Sequence, residues 1–396
     1  MRLRQILCVH RDRSLPPLPT KVDLVVVGAG VVGLAHAVEA HARGLSVLVV
    51  DAAPRPSGAT VRRGGHVAVT TQASTALACA LASRERWLKL GRDAGFGVRE
   101  CGSVVVARHP DELAVLDDLV AARAGDAVAL DGRSVAERTA VPDALGGVFL
   151  PLDLRVEPAA ALTAVADWLG SHPQAHVAWG TAAQTFDAGS GCTLVRTARG
   201  EVVARRVVVA VGHDVGQLFW EVGATVERRR RQLLHVEPPT PGDPGAGARL
   251  TTGPVVVGPT TFLRDGAYAA SRAVGVVQDR WRSTRPDVLE HDVHLTLCAQ
   301  PDGSLVVGDG RMPAGPGRSE AVDHVLLREA AELLGVERLA VRSRWSAPEL
   351  VRTAAAERDP FVVTEPLPGV RTVTVTDGLA TTTALGLAPR VVDALF

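Results

Sequence analysis

Residues 24–27, LVVV, form an unbroken apolar run between Asp23 and a glycine-rich turn. A run without polar alternation predicts a short strand buried on both faces, as in a parallel sheet. The Ala-rich stretch 31–43 predicts a helix with Gly44 as its stop signal. A second apolar run at 45–50 predicts another buried strand, and Asp51 ends it. Further on, 74–90 is helical in period, with Trp87 and Leu88 placed in the core. SVVVAR from Ser103 predicts a strand, and Pro110 and Asp111 open a helix to about Arg123. A short strand and helix come next, ending by Thr139, and VFLPLDLRVEP leads into a helix with Pro158 in its first turn.

The middle and end of the chain read differently. Residues 176–203 predict a small β-meander, with turns at Gly189, Gly191 and Gly200. Residues 206–211 predict a buried strand closed by Gly212, returning to the first sheet. The stretch 226–239 carries Arg228, Arg229, Arg230 and Arg231, a run expected on a solvated strand edge. PPTPGDPGAGA predicts a loop, and 293–299 with 304–307 a hairpin about Asp302-Gly303. An amphipathic helix is expected over 319–334, strands near 361–364 and 370–376, and a last helix from about Thr381.

The turn after the first strand holds Gly28, Gly30 and Gly33 as Gly-x-Gly-x-x-Gly. The first glycine allows a tight turn, the second lets backbone approach a pyrophosphate, and the third lets helix pack on strand. With a strand before, a helix after and Asp51 ending the second strand, the motif points to a dinucleotide, whose ribose hydroxyls the carboxylate can hold. The loop AAPRPSGATVRRGGH comes next, where Gly58, Ala59 and Thr60 can offer amides and a hydroxyl to phosphate, and Arg62 or Arg63 a charge. The implied fold class is α/β (α+β overall). A Rossmann-like nucleotide domain is built from 21–96, 153–224 and 345–396. A mixed, antiparallel-rich substrate domain, 97–152 and 225–344, is inserted into it, and 1–20 form an N-terminal extension.

Composition narrows the function. Lys+Arg and Asp+Glu balance at 43 each, so no overall field favours nucleic acid or an anionic membrane. The five cysteines, Cys8, Cys79, Cys101, Cys192 and Cys298, are scattered without a metal spacing, which suggests no metal site and a reduced, cytoplasmic setting. The first residues lack the apolar core of a signal peptide, and no run of about 18 apolar residues predicts a membrane span.

Four stretches together resemble the D-amino-acid oxidase, glycine oxidase and sarcosine oxidase superfamily. They are VVVGAGVVGLAHA, VVDAAPRPSGATVRRGG, RRVVVAVG and VRTVTVTDGLATTTALGLA. GATVR, LRVEP, RWSAP and DPFVVTEPLPGV are similar to a subgroup associated with aminophosphonate metabolism. The resemblance implies FAD as cofactor. Gly28, Ala29, Gly30, Val31, Val32 and Gly33 would surround its pyrophosphate, and Asp51 with Ala52 its adenosine ribose. Gly58, Ala59 and Thr60 would touch phosphate and ribityl groups, Ala183 the adenine, and Ala210 and Gly212 the nearby turn. Gly378, Leu379, Ala380, Thr381 and Thr382 would bring a helix N-terminus to the ring, whose reduced form carries negative charge that amide donors stabilise. The chain departs from the subgroup at Arg63-Gly64-Gly65, where Asn-Phe-Gly is usual, and at Gly378-Leu379-Ala380-Thr381, where a Gly-x-Gly-Met-Thr-like segment is usual.

The implied reaction is oxidation of a small primary or secondary amine at the carbon bearing nitrogen. It yields an imine that hydrolyses, with molecular oxygen as acceptor and hydrogen peroxide as product. An acidic substrate needs a cationic anchor, for which Arg62, Arg63, Arg264 and Arg311 are candidates, Arg264 first. His66 is placed at the substrate and Trp345 against the pocket. No cysteine follows Cys298, so non-covalent FAD is expected. Two other readings compete: an NAD-dependent dehydrogenase, since the opening motif serves both cofactors, and a binding or scaffolding protein on a flavin fold, given the altered segments.

Overall fold

The structure, a computed structural model, describes residues 16–238, 246–312, 317–353 and 359–396. Most of the expected N-terminal extension and part of PPTPGDPGAGA lie outside the described residues, and the helix Ala246–Thr252 begins within the end of that loop.

The apolar run that opens the chain becomes the strand Lys21–Val27, flanked on both sides. Val25 pairs in parallel with Val207 on one side and with Leu48 on the other. Leu24, Val25 and Val26 are fully buried, which is why no polar residue interrupts them. Around this strand the first sheet orders Ala183–Ala188, Thr193–Thr197, Gly200–Val209, Lys21–Val27, Val47–Val50 and Ala175–Ala178. The C-terminal hairpin Phe361–Leu367 and Val370–Val375 joins through parallel pairing of Val370–Val375 with the end of Gly200–Val209. The segment near His176 is therefore not part of the meander. It pairs in parallel with Val47–Val50 as a sheet edge, and the meander begins at Ala183. Gly180, at φ +61°, turns the chain between the two strands, but a turn residue does not say which neighbour each strand takes.

One face of this sheet is covered by the helices Val31–Ala42, Ser74–Ala94, Pro158–Gly170 and Ala380–Asp393. Leu34, Trp87, Leu162 and Leu385 from the four helices meet in one core, each contributing on the order of 1.5–3 kcal/mol. The indole of Trp87 also donates to the Thr381 carbonyl at 2.9 Å, fixing where the last helix starts.

The second sheet orders Val341–Arg352, Val226–Val236, Leu305–Arg311, His294–Ala299, Val255–Val257, Ser103–Ala107, Gly146–Leu150 and Val128–Asp131. His294–Ala299 and Leu305–Arg311 form the expected hairpin. Val341–Arg352 straddles the boundary expected at residue 345 and pairs along its length with Val226–Val236 of this sheet. The arginine run is solvated at its start, where Arg228 is exposed, but not at its end. Val226–Val236 lies between two neighbours, and Arg231 is 0 % exposed. A small third sheet, His66–Val67, Leu154–Val156 and Val98–Arg99, carries His66.

Candidate active site

The first glycine turn opens one end of a cavity of about 510 Å³. Gly28 sits at φ +102°, a conformation that side chains rarely adopt, and its amide donates to Val50. Gly33 lies so close to this turn that an added Cβ would stand 1.8 Å from the Gly28 carbonyl oxygen. Gly33 therefore shapes the turn without lining the cavity, whereas Gly28, Ala29, Gly30, Val31 and Val32 line it. The N-cap Gly30 has no side chain with which to cap the helix Val31–Ala42, whose N-terminal end faces the cavity and favours an anion there. The Asp51 carboxylate accepts from the amides of Ala29 at 2.7 Å and Ala53 at 2.8 Å, which fixes it at the rim with lone pairs to spare. The Thr60 hydroxyl accepts from the Val31 amide at 3.3 Å, binding the second loop to the helix start.

Ala52, Gly58, Ala59, Thr60, Ala183, Ala210 and Gly212 line the same cavity, as do Gly378, Ala380 and Thr381 from the far end of the chain. Sequence reasoning missed Thr181, His213 and Gln217 there, which sit beside expected positions in turns that carry no motif. The ADP half of FAD fits this wall. A Cβ added at Gly30 would meet only Thr60 Oγ1, at 3.8 Å, so backbone there is open to a close-lying group.

A second cavity, of about 840 Å³, adjoins the first. Arg63, Glu349, Gly378 and Thr381 line both, so the two meet at the segments expected to hold the redox ring. Leu379 and Thr382 face the second cavity. The helix Ala380–Asp393 likewise starts without a side-chain cap.

Charge dominates this rear wall. Arg63 reaches Asp309 at 2.7 Å and Glu349 at 3.5 Å. Arg264 reaches Glu349 at 3.0 Å and Asp309 at 3.3 Å. Behind them the buried Arg231 meets Asp292 at 2.6 Å and Asp309 at 2.7 Å. Burial opposes ionisation of Asp309, but Arg231, Arg63 and Arg264 outweigh it and hold its carboxyl below the usual range. Burial would also discharge Arg264, yet Glu349, Asp309 and Asp292 keep it firmly protonated. Arg264 thus lines the cavity as expected, with its fork already engaged by carboxylates.

His66 lines the rear cavity and its Nε2 lies 3.0 Å from Asp153 Oδ2. Asp153 is fully buried and also accepts from Ser103 Oγ at 2.6 Å and from the amides of Val69 and Thr70 at 2.8 and 3.1 Å. So satisfied a carboxylate holds the imidazole in one orientation. A second pair, His294 with Asp265 at 3.1 Å, faces the same cavity. Trp345 is a correction: it lines neither cavity. It shares a strand face with Glu349 but lies four residues along, where its indole donates to the Arg62 carbonyl at 2.8 Å and packs edge-on against His235. Arg311 also lies outside, donating to the Glu290 carbonyl, and Arg62 lines only the first cavity. Among the described residues no group of three or more potential ligands could hold a metal, and no helix is long and apolar enough to cross a membrane.

The first sheet and the start of the C-terminal helix thus frame two adjoining cavities, the second of them strongly charged. The chain belongs to the DAO family, described as FAD dependent oxidoreductase, which matches residues 23–394. The nicotinamide alternative falls with that membership. Among solved structures, glycine oxidase from Geobacillus kaustophilus is 18 % identical, with 94 % of each chain covered and a TM-score of 0.70. L-amino acid deaminase from Proteus vulgaris is 15 % identical, covering 96 % of this chain and 95 % of that one at a TM-score of 0.72. L-proline dehydrogenase from P. horikoshii is 16 % identical, with 95 % of each chain covered and a TM-score of 0.70. At such identities the likeness is one of fold. A ferredoxin–NADP reductase of Saccharopolyspora erythraea is 57 % identical over 44 residues, but these make up only 11 % of this chain and 14 % of the reductase.

Proposed function

We propose that this protein oxidises a small primary or secondary amine in the rear cavity, with FAD held non-covalently across both cavities. The observation that carries the reading is the junction itself: Arg63, Glu349, Gly378 and Thr381 belong to both walls, so a cofactor gripped in front reaches the rear space. Bound FAD supplies the acceptor for a hydride from the carbon that bears the amine. The chain's own residues bind the amine, exclude water and move its proton. An amine gives up hydride only as the free base. His66, held through Nε2 by Asp153, keeps Nδ1 to take the ammonium proton. The imine product then hydrolyses in water, and molecular oxygen, forming hydrogen peroxide, is the electron acceptor in this reading.

The fold neighbours named for glycine, L-amino acids and L-proline support an amine as the reacting group, since each of those compounds is one. The likeness of GATVR and DPFVVTEPLPGV adds aminophosphonates to the substrates worth trying, and the cytoplasm is the proposed setting. The second sheet supports limits near 97–152 and 225–344 for the substrate-binding part, except that its strand Val341–Arg352 runs past the last of them. Anaerobic mixing of the FAD-loaded protein with a panel of amines tests the reading. Bleaching of the flavin band by at least one of them is expected. A band unchanged by every amine would leave the scaffolding alternative in its place.

A further inference from the structure

The rear cavity's charges are paired in one sense and left over in the other. Each arginine on its wall is taken: Arg63 and Arg264 by Asp309 and Glu349, and Arg229 by Glu227, with both bonds at 2.9 Å. Arg231, just behind, is held by Asp292 and Asp309. The two histidines are backed by Asp153 and Asp265. No guanidinium fork remains open for a carboxylate or phosphonate, and prising one from a buried pair would leave a carboxylate uncompensated, which is strongly unfavourable.

Asp377 stands on the opposite side of this balance. It lines the cavity beside Gly378, and among the described residues it forms no ion pair. Its one side-chain hydrogen bond comes from the neighbouring Thr376 hydroxyl at 2.7 Å. Its amide donates to the Leu350 carbonyl at 2.8 Å, so the backbone at φ +58° is held and the carboxylate is presented rather than free to swing out. Asp377 is exposed to this cleft, and surplus negative charge in a cleft concentrates cations.

We propose that the rear cavity prefers amines whose non-reacting end is itself a cation, with Asp377 as its counter-charge, over amines that carry an acid group. The proposal rests on amine oxidation as the reaction and names its substrate class: a diamine or similar dication. One nitrogen loses its proton and then hydride from its carbon, while the other stays protonated against Asp377.

The test uses the FAD-loaded protein without oxygen and three amines of one chain length: putrescine, butylamine and γ-aminobutyrate. They differ only in whether the far end is a cation, a methyl or an anion. Binding is read from the perturbed flavin spectrum and reaction from its bleaching. Putrescine is expected to bind about tenfold or more tighter than butylamine, a difference of about 1.4 kcal/mol, with γ-aminobutyrate weakest. Asp377→Asn keeps an accepting oxygen for Thr376 and a residue type that tolerates positive φ, and retained yellow colour shows that it folds. It is expected to erase most of putrescine's advantage. Glu349→Gln, which loosens Arg63 and Arg264, is expected to move preference toward γ-aminobutyrate. Tightest binding by γ-aminobutyrate in the unaltered protein, or an Asp377→Asn protein with putrescine's advantage intact, overturns the proposal. If putrescine binds best and bleaches nothing, charge selection stands and amine oxidation falls. If γ-aminobutyrate binds best and bleaches the flavin, oxidation stands and this inference falls.

Discussion

In the front cavity the expected grip is set by backbone geometry: the turn at Gly28, the start of the helix Val31–Ala42, and Asp51 tied by two amides. In the rear cavity the wall is side chains, with Arg63, Arg264, Asp309 and Glu349 drawn from four separate stretches of chain. Backbone geometry suits a cofactor that is the same in every turnover. Side-chain charge suits recognition of a substrate, because single replacements can retune it. The two regions should therefore fail differently when altered.

The largest effect is expected in front. Gly33→Ala would place a methyl 1.8 Å from the Gly28 carbonyl oxygen, so the turn must open. The purified protein should carry no FAD, measured as flavin absorbance per chain. A fully yellow Gly33→Ala protein would mean that the turn is not the grip.

Next comes the rear network. Asp309→Asn removes the carboxylate that Arg63, Arg231 and Arg264 share, at an expected cost of about 3–5 kcal/mol in urea unfolding. A loss under about 1 kcal/mol would show the arginines re-paired without it.

Mild acid separates the regions. His36, fully buried in the front helix, donates Nδ1–H to the Val32 carbonyl at 2.7 Å, and burial lowers its pKa from 6.5 to about 4. The unfolded chain then binds the proton that the folded chain refuses, so stability falls as pH drops from about 6.5 to about 4, by roughly 3 kcal/mol at most. Asp309 has the opposite sign of cause: its folded carboxyl is depressed, so its contribution persists through that window and is lost only in stronger acid. Urea melts at pH 7 and 5 should show the decline, and His36→Leu should flatten it. An equal decline in His36→Leu would place the sensitivity elsewhere.

Smallest of all, Trp345→Phe removes one hydrogen bond to Arg62, outside both cavities. About 1 kcal/mol of stability should go, with amine half-saturation unmoved. A change in half-saturation would bring Trp345 back to the pocket.

The same contrast explains what the sequence disclosed. The shape of the front turn was legible because Gly28 to Asp51 is contiguous and follows from local geometry. Gly378 to Thr382 was placed by resemblance, and it lines the junction. The rear site was not legible. Arg231 sits last in a four-arginine run that looks solvated, and only the pairing of its strand on both sides buries it. One signal was available: Asp309 within LVVGDGR and Glu349 within APELV are acids inside apolar strands, where a buried carboxylate implies a cation opposite. Asp153 gave less warning, since LPLDLRV reads as a turn until His66 is seen against it.

The most direct measurement is a calorimetric titration of the cofactor-stripped protein with FAD, repeated in the presence of ADP and with Gly28→Val. One FAD per chain, weakened by ADP and abolished by Gly28→Val, is the expected result. A protein that takes up no FAD, or whose FAD binding survives Gly28→Val, would contradict a cofactor gripped at the front turn.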